Sequence, residues 1–212
     1  MPMIFAPTVA TRRALILALA LIAAGALLSA CTKTALISGA AATGGTAIAQ
    51  ERSVSDAIND TAIEIALNKR FLDESTELFL DVDIDAYEGR VMLTGDVEKP
   101  RHRIRALELA WQVKGVDEVI NEIQVRDRTS FVDRARDIWI STQLATELLY
   151  DKKILSINYN IETVNGVIYL IGIAQDAEEL ERVIARARNI AYVHRVVSHV
   201  RLKGEPLSKA KR

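Results

Sequence analysis

The chain has 212 residues, a formal net charge of −1, 50% hydrophobic and 26% charged residues, and one cysteine. A single cysteine cannot close a disulfide within the chain, so whatever folds here is held by packing alone. No G-x-S-x-G, Walker loop or dinucleotide fingerprint occurs, which removes the sequence grounds for those hydrolase, nucleotide-hydrolysing and dinucleotide-dependent chemistries.

Two arginines, Arg12 and Arg13, are followed by an uninterrupted apolar and small-residue run from Ala14 to Ala30 that leads into Leu28-Ser29-Ala30-Cys31. A basic start, a short apolar stretch and small residues before a cut describe a bacterial secretory signal. The Leu-Ser-Ala-Cys ending resembles the lipobox of bacterial lipoproteins. That resemblance implies removal of residues 1–30 and a diacylglycerol thioether plus an N-acyl chain on Cys31. Two or three acyl chains would hold the protein on a bilayer, whereas a single chain binds reversibly. At about 17 residues the run sits at the lower limit for a spanning helix, so an ordinary signal peptide or a membrane anchor is the other reading. Thr32 follows the cysteine where an Asp would signal retention, which resembles an outer-membrane address. Residues 31–52 then read as the lipidated N-terminus and a tether, mostly Ala, Gly, Thr and Ser around Gly44-Gly45, too poor in apolar surface to fold alone.

The remainder is an internal repeat. Shifted by 77 residues, Leu67–Val125 overlays Leu144–Leu202 without a gap, with Ile84 on Ile161, Gly89 on Gly166, Leu93 on Leu170 and Gly95 on Gly172. Each copy reads helix, strand, strand, helix, strand, an α+β unit, over residues 53–128 and 129–204, with a basic tail over 205–212. The first helices carry core stripes at helical spacing, Ile63, Leu67 and Phe71 in one copy and Ile140, Leu144 and Leu148 in the other. The next strand alternates: Leu80, Val82 and Ile84 are expected inward and Asp81, Asp83 and Asp85 toward water, with Ile157, Tyr159 and Ile161 inward in copy two. Hairpins are expected at Glu88-Gly89 and Asn165-Gly166, followed by strands Arg90–Leu93 and Val167–Ile171. Pro100 opens one second helix, and Asp176 with Glu179 forms a capping-box pattern at the other. The last strands are Glu118–Val125 and Arg195–Leu202. Gly95 and Gly172, like the turn glycines Gly89 and Gly166, read as structural positions. Tyr169, Ile171 and Val197 mark an apolar sheet face opposite the helices, suited to contact between copies, because a unit of this size has a small core of its own.

The stretches Tyr87-Glu88-Gly89-Arg90-Val91-Met92-Leu93-Thr94-Gly95 and Gly115-Val116-Asp117-Glu118-Val119 resemble the BON domain. In the second copy Val164-Asn165-Gly166-Val167-Ile168-Tyr169-Leu170-Ile171-Gly172 and Tyr192-Val193-His194-Arg195-Val196 take the same places, with Tyr192 replacing the expected glycine. Lipobox, tether and two such units together resemble the dual-BON outer-membrane lipoproteins. The resemblance implies two tandem αββαβ domains, a lipid-anchored chain on the outer membrane facing the periplasm, and a role in envelope integrity.

Residues for catalysis are lacking. His102 and His199 have no carboxylate or cysteine at ligand spacing, and all three histidines, with His194, read as solvated. Asp81, Asp83 and Asp85 lack the glycine and glutamate of a calcium loop. No metal and no cofactor is expected beyond the lipid on Cys31, and no enzyme activity. Charge is polarised: residues 51–130 hold 18 acidic and 11 basic side chains, a net of −7, while residues 131–212 hold 10 and 13, a net of +3. The first copy should be repelled by an anionic bilayer and the second mildly attracted. Trp139 lies about 140° around its helix from Leu144, away from the core stripe, with Thr142, Thr146, Leu149 and Tyr150 on its side. Such a face suits a membrane interface; packing of Trp139 on the first copy or on the tether is the other reading. In the resembled family this helix of the second domain binds anionic phospholipid, which implies Trp139 and Leu149 as contacts, with Thr142 and Thr146 as their neighbours; Tyr150 comes from the helical wheel. The partners implied are an anionic phospholipid membrane and outer-membrane assembly or division proteins, with no nucleic acid. A tethered protein-binding or chaperone-like periplasmic module is the rival reading.

Overall fold

The computed structural model describes residues 50–126 and 130–205. The signal run, Cys31, the tether up to residue 49 and the tail from residue 206 lie outside the described residues. No described helix is long and apolar enough to cross a membrane.

The first repeat begins with helix α1 (Val54–Glu74), whose Ser53 cap accepts a hydrogen bond from the Asp56 amide at 3.1 Å. Ser75 then starts a second short helix, α2 (Thr76–Asp81), by accepting from the Leu78 amide at 3.0 Å. That cap changes the expected alternation. Leu80 belongs to α2 and is exposed, so the inward run begins only at Val82.

Strands β1 (Val82–Tyr87) and β2 (Arg90–Val97) pair antiparallel from Val82 with Gly95 to Tyr87 with Arg90. Their two-residue turn has φ 52° at Glu88 and 74° at Gly89, both positive as a type I′ hairpin requires. Helix α3 (Pro100–Trp111) crosses back to place β3 (Glu118–Asn121) parallel to β2. The expected continuous last strand is broken. Asn121 Oδ1 takes the Ile123 amide at 3.2 Å, a side chain competing with the ladder, and pairing to β2 resumes only in β4 (Gln124–Val125).

In the second repeat, α4 (Phe131–Tyr150) is capped by Ser130 through the Asp133 amide at 3.2 Å. A 3₁₀ turn (Ser156–Asn158) follows, so Ile157 is not an inward strand residue; it is partly exposed, and Tyr159 starts the strand. Strands β5 (Tyr159–Val164), β6 (Val167–Ala174) and β7 (Arg195–Leu202) form a sheet in that order, β5 antiparallel and β7 parallel to β6, with α5 (Ala177–Asn189) between β6 and β7. Asp176 caps α5 through the Glu179 amide at 2.8 Å, while Glu179 reaches the Gln175 and Leu155 amides, each at 2.8 Å.

Helices cover one face of each sheet. Ile63, Leu67, Phe71, Val91, Leu93, Ala106 and Leu109 belong to the first core; Ile140, Leu144, Leu148, Ile168, Leu170, Val183 and Ala187 belong to the second. The opposite sheet faces meet each other. Tyr87, Met92 and Ile120 from the first repeat pack with Val164, Tyr169, Ile171 and Ile173 from the second, and half-buried Val167 and Val197 close the cluster. Covering this face half-buries Asp81, Asp83 and Asp85, which therefore do not stand in open water; Asp85 Oδ1 accepts from Asn160 Nδ2 at 3.3 Å.

Polar pairs ring the contact. Arg201 meets Glu88 at 2.9 Å, and Asn165 Nδ2 donates to Asp96 Oδ1 at 2.8 Å. Arg90 reaches Glu118 at 2.7 Å and the His199 carbonyl at 2.8 Å. His199 does have a carboxylate partner: its Nε2 lies 2.9 Å from Glu122 Oε1, contrary to the solvated reading of that histidine. The pair was invisible in sequence because only the packing of the two sheets brings residues 122 and 199 together.

Candidate functional site

Helix α4 turns Asp137, Ile140, Leu144 and Leu148 inward. Its other side is uncharged from end to end. Trp139 is 45% exposed, and Thr142, Thr146, Leu149 and Tyr150 are all exposed beside it. Phe131, Val132 and Ile138 are exposed as well and extend the same face toward the helix start. At 100° per residue these eight side chains fall within about a third of the circumference, along a helix of 20 residues, about 30 Å long. Thr142 Oγ1 donates to the Ile138 carbonyl and Thr146 Oγ1 to the Thr142 carbonyl, each at 2.8 Å. Their donors are satisfied inside the helix, which leaves the face less polar than its two threonines suggest.

Ile138, Val132 and Phe131 stand one, seven and eight residues before Trp139, a helical spacing that places them on the same face. Tyr192, in sequence only a departure from glycine, joins this face through the fold. It is 63% exposed, and its ring lies 6.1 Å from that of Trp139 at 72°, an edge-to-face pair. The Arg136 guanidinium lies 5.3 Å from the centre of the Tyr192 ring. Trp139 therefore packs on Tyr192 of its own repeat and keeps nearly half its surface open.

Beside this aromatic pair is a cleft of about 290 Å³, lined by Arg126, Asp133, Arg136, Asp137, the Asn165-Gly166 turn, Tyr192 and His194. Asp137 builds it. The side chain is buried in α4 and its two oxygens accept from the Asn165 and Gly166 amides at 2.7 and 2.8 Å. Burial pushes the Asp137 carboxyl above the usual carboxylate range, with the two amides pulling the other way. Asp133, at the exposed helix start, is held below that range, first by the Ser130 hydroxyl at 2.6 Å and also by Arg136 at 2.8 Å. Gly166 is required here, because a Cβ would press into the His194 ring and the Tyr192 carbonyl.

Gly89 occupies the equivalent turn of the first repeat. Gly95 and Gly172 sit elsewhere, at the strand ends opposite Val82 and Tyr159, where a Cβ would overlap the carbonyls of Asp81 and Asn158. His102 lines a second cleft of about 450 Å³ between α2 and α3, where Arg105 is already engaged by Glu74 and Glu108. Among the described residues no group of three or more His, Cys, Asp or Glu is placed to hold a metal ion.

The BON-domain family model matches residues 59–127 and 136–204, well over half of the chain. The chain belongs to the BON-domain family. It carries two tandem BON domains in an α+β fold and is similar to several known proteins. It is 40% identical over 153 residues, 72% of its length and all of the relative's, to an uncharacterized protein in the gshII 5′ region of Anaplasma centrale. It is 29% identical over 140 residues to the outer membrane lipoprotein DolP of Haemophilus influenzae, covering 63% of this chain and 72% of DolP. It is 25% identical over 152 residues to the osmotically-inducible protein Y of Escherichia coli, covering 71% of this chain and 76% of that protein. The uncharged helix face belongs to BON domain 2, and so does the cleft except for Arg126, which ends BON domain 1.

Proposed function

We propose that this protein is a non-enzymatic outer-membrane lipoprotein, anchored through acyl chains on Cys31 and facing the periplasm. Helix α4 of its BON domain 2 docks on anionic phospholipid and so supports envelope integrity. The observation that carries this reading is the uncharged, exposed face of α4 centred on Trp139, with aromatic residues at both ends and in the middle. Trp and Tyr favour the boundary between headgroups and acyl chains. Burying one indole contributes about 2–3 kcal/mol, modest alone but sufficient for a domain whose anchor already raises its effective concentration at the bilayer. The net of +3 over residues 131–212 favours an anionic surface, and the net of −7 over residues 51–130 turns the first domain away from it. The similarity to a protein named outer membrane lipoprotein DolP supports the address.

Vesicle co-flotation of residues 32–212, which keeps every described residue, tests the docking step. Binding to phosphatidylglycerol vesicles and not to phosphatidylcholine is expected, with a loss of tenfold or more on Trp139→Glu, equivalent to about 1.4 kcal/mol. Equal behaviour on both vesicle types would instead make the α4 face a protein-binding surface.

A further inference from the structure

We propose that the corner formed by the start of α4, the β5–β6 turn and the turn before β7 is where this face takes the phosphodiester of an anionic phospholipid headgroup, with Tyr192 as its defining residue. This rests on the membrane reading above and adds the subsite within it.

Tyr192 has φ +69°, in the left-handed region that favours glycine. The equivalent residue of BON domain 1, 77 positions earlier, is Gly115 with φ +95°. A tyrosine there is strained, and the core does not ask for it, because its ring is mostly exposed. What the ring touches is Trp139 and the guanidinium of Arg136.

The duplication supplies an internal control. At the same corner Asn59 is replaced by Arg136, Ala62 by Trp139, Glu88 by Asn165, Gly115 by Tyr192 and Asp117 by His194. The two aspartates that shape the corner are kept, Asp56 as Asp133 and Asp60 as Asp137. Asp60 caps the first hairpin through the Glu88 and Gly89 amides at 2.8 and 2.9 Å, as Asp137 caps the second. The two aspartates are thus kept between the two domains, while Asn59, Glu88, Gly115 and Asp117 give way around them to Arg136, Asn165, Tyr192 and His194.

The cleft itself presents Arg126, Arg136 and His194. Its two carboxylates are already engaged, Asp133 by Ser130 and Arg136, Asp137 by the turn amides. A phosphodiester in the cleft meets the Arg126 guanidinium, and Arg136 only as a group shared with Asp133, while the acyl chains of the same lipid lie along Trp139 and the α4 face. Guanidinium and phosphate oxygens suit each other in charge and geometry.

The test uses residues 32–212 on phosphatidylglycerol and phosphatidylcholine vesicles, comparing the unmodified chain with Tyr192→Gly and Arg126→Gln. Tyr192→Gly is expected to raise the melting temperature, because strain is relieved, and yet to weaken binding to phosphatidylglycerol about fivefold. Opposite signs on stability and binding separate this role from a structural one. Arg126→Gln is expected to narrow the preference for phosphatidylglycerol by a similar factor without moving the melting temperature. If both variants bind as the unmodified chain does, the corner is overturned and the α4 docking face stands. If the unmodified chain binds neither vesicle, both readings fall. Displacement from vesicles by millimolar glycerol 3-phosphate would assign the corner to a soluble phosphate ester and overturn the proposal; no displacement is expected.

Discussion

At the residue scale, buried carboxylates decide the local chemistry. Asp60 and Asp137 each hold two turn amides, and Glu64 on α1 accepts the Ala86 amide at 3.0 Å. Burial pushes the Glu64 carboxyl up from 4.5 to about 7, with the Ala86 amide opposing it. The folded state therefore holds this proton more tightly than the unfolded chain does. Its contribution to stability is complete below pH 4.5 and is lost as pH rises toward 7. Glu64→Gln keeps an acceptor for Ala86 and removes the ionisation. Relative to the unmodified chain it should gain stability across that window, by about 3 kcal/mol at most, and gain nothing below it. Denaturant melts on either side of the window measure the difference; a constant offset would assign the Glu64 effect to packing and not to its charge.

At the element scale, the two first helices are built alike and used differently. Both are capped by serine, Ser53 and Ser130, and both lay an aspartate under the hairpin. Asp137→Ala would leave the Asn165 and Gly166 amides without their acceptor and let the β5–β6 turn loosen, a cost of about 2–4 kcal/mol. Asp137→Asn retains one oxygen and should lose less. Amide exchange at Asn165 and Gly166 reads this directly: protection should fall in the alanine variant well before the sheet amides are affected. Helix α4 differs from α1 in what surrounds its exposed side. Beside its outer face stand Tyr192 and His194, where the first domain has Gly115 and Asp117.

At the scale of the whole molecule, the two BON domains stabilise each other through the sheet faces that the helices leave open. Tyr169 and Met92 are almost wholly buried in that contact, and the Tyr169 hydroxyl is 3.2 Å from Gln124 Nε2 across it. Tyr169→Ala removes a large aromatic from the centre of the junction, at a cost of about 3–5 kcal/mol. It should also uncouple the halves, so that thermal unfolding followed at Trp111 and at Trp139 no longer coincides. A single shared transition in this variant would show that the domains remain cooperative without that contact. The same junction fixes which surfaces stay free, because it occupies the strand faces and leaves the outer side of α4 open.

The sequence alone determined the repeat, the αββαβ order, both hairpins and the core stripes of the helices, because each rests on local rules of periodicity and turn chemistry. It marked Tyr169, Ile171 and Val197 as a contact surface by alternation. It placed Trp139 and its neighbours outside the core by helical spacing. It misplaced Leu80, Ile157 and the continuity of the last strand of the first domain, where Ser75, the 3₁₀ turn and Asn121 offered the backbone competing hydrogen bonds. Only the tertiary structure brought Tyr192 and Arg136 to Trp139, joined His199 to Glu122 and covered the aspartates of β1. Those outcomes depend on residues far apart in the chain, whose meeting is set by how the helices and sheets pack and not by any periodicity along the sequence.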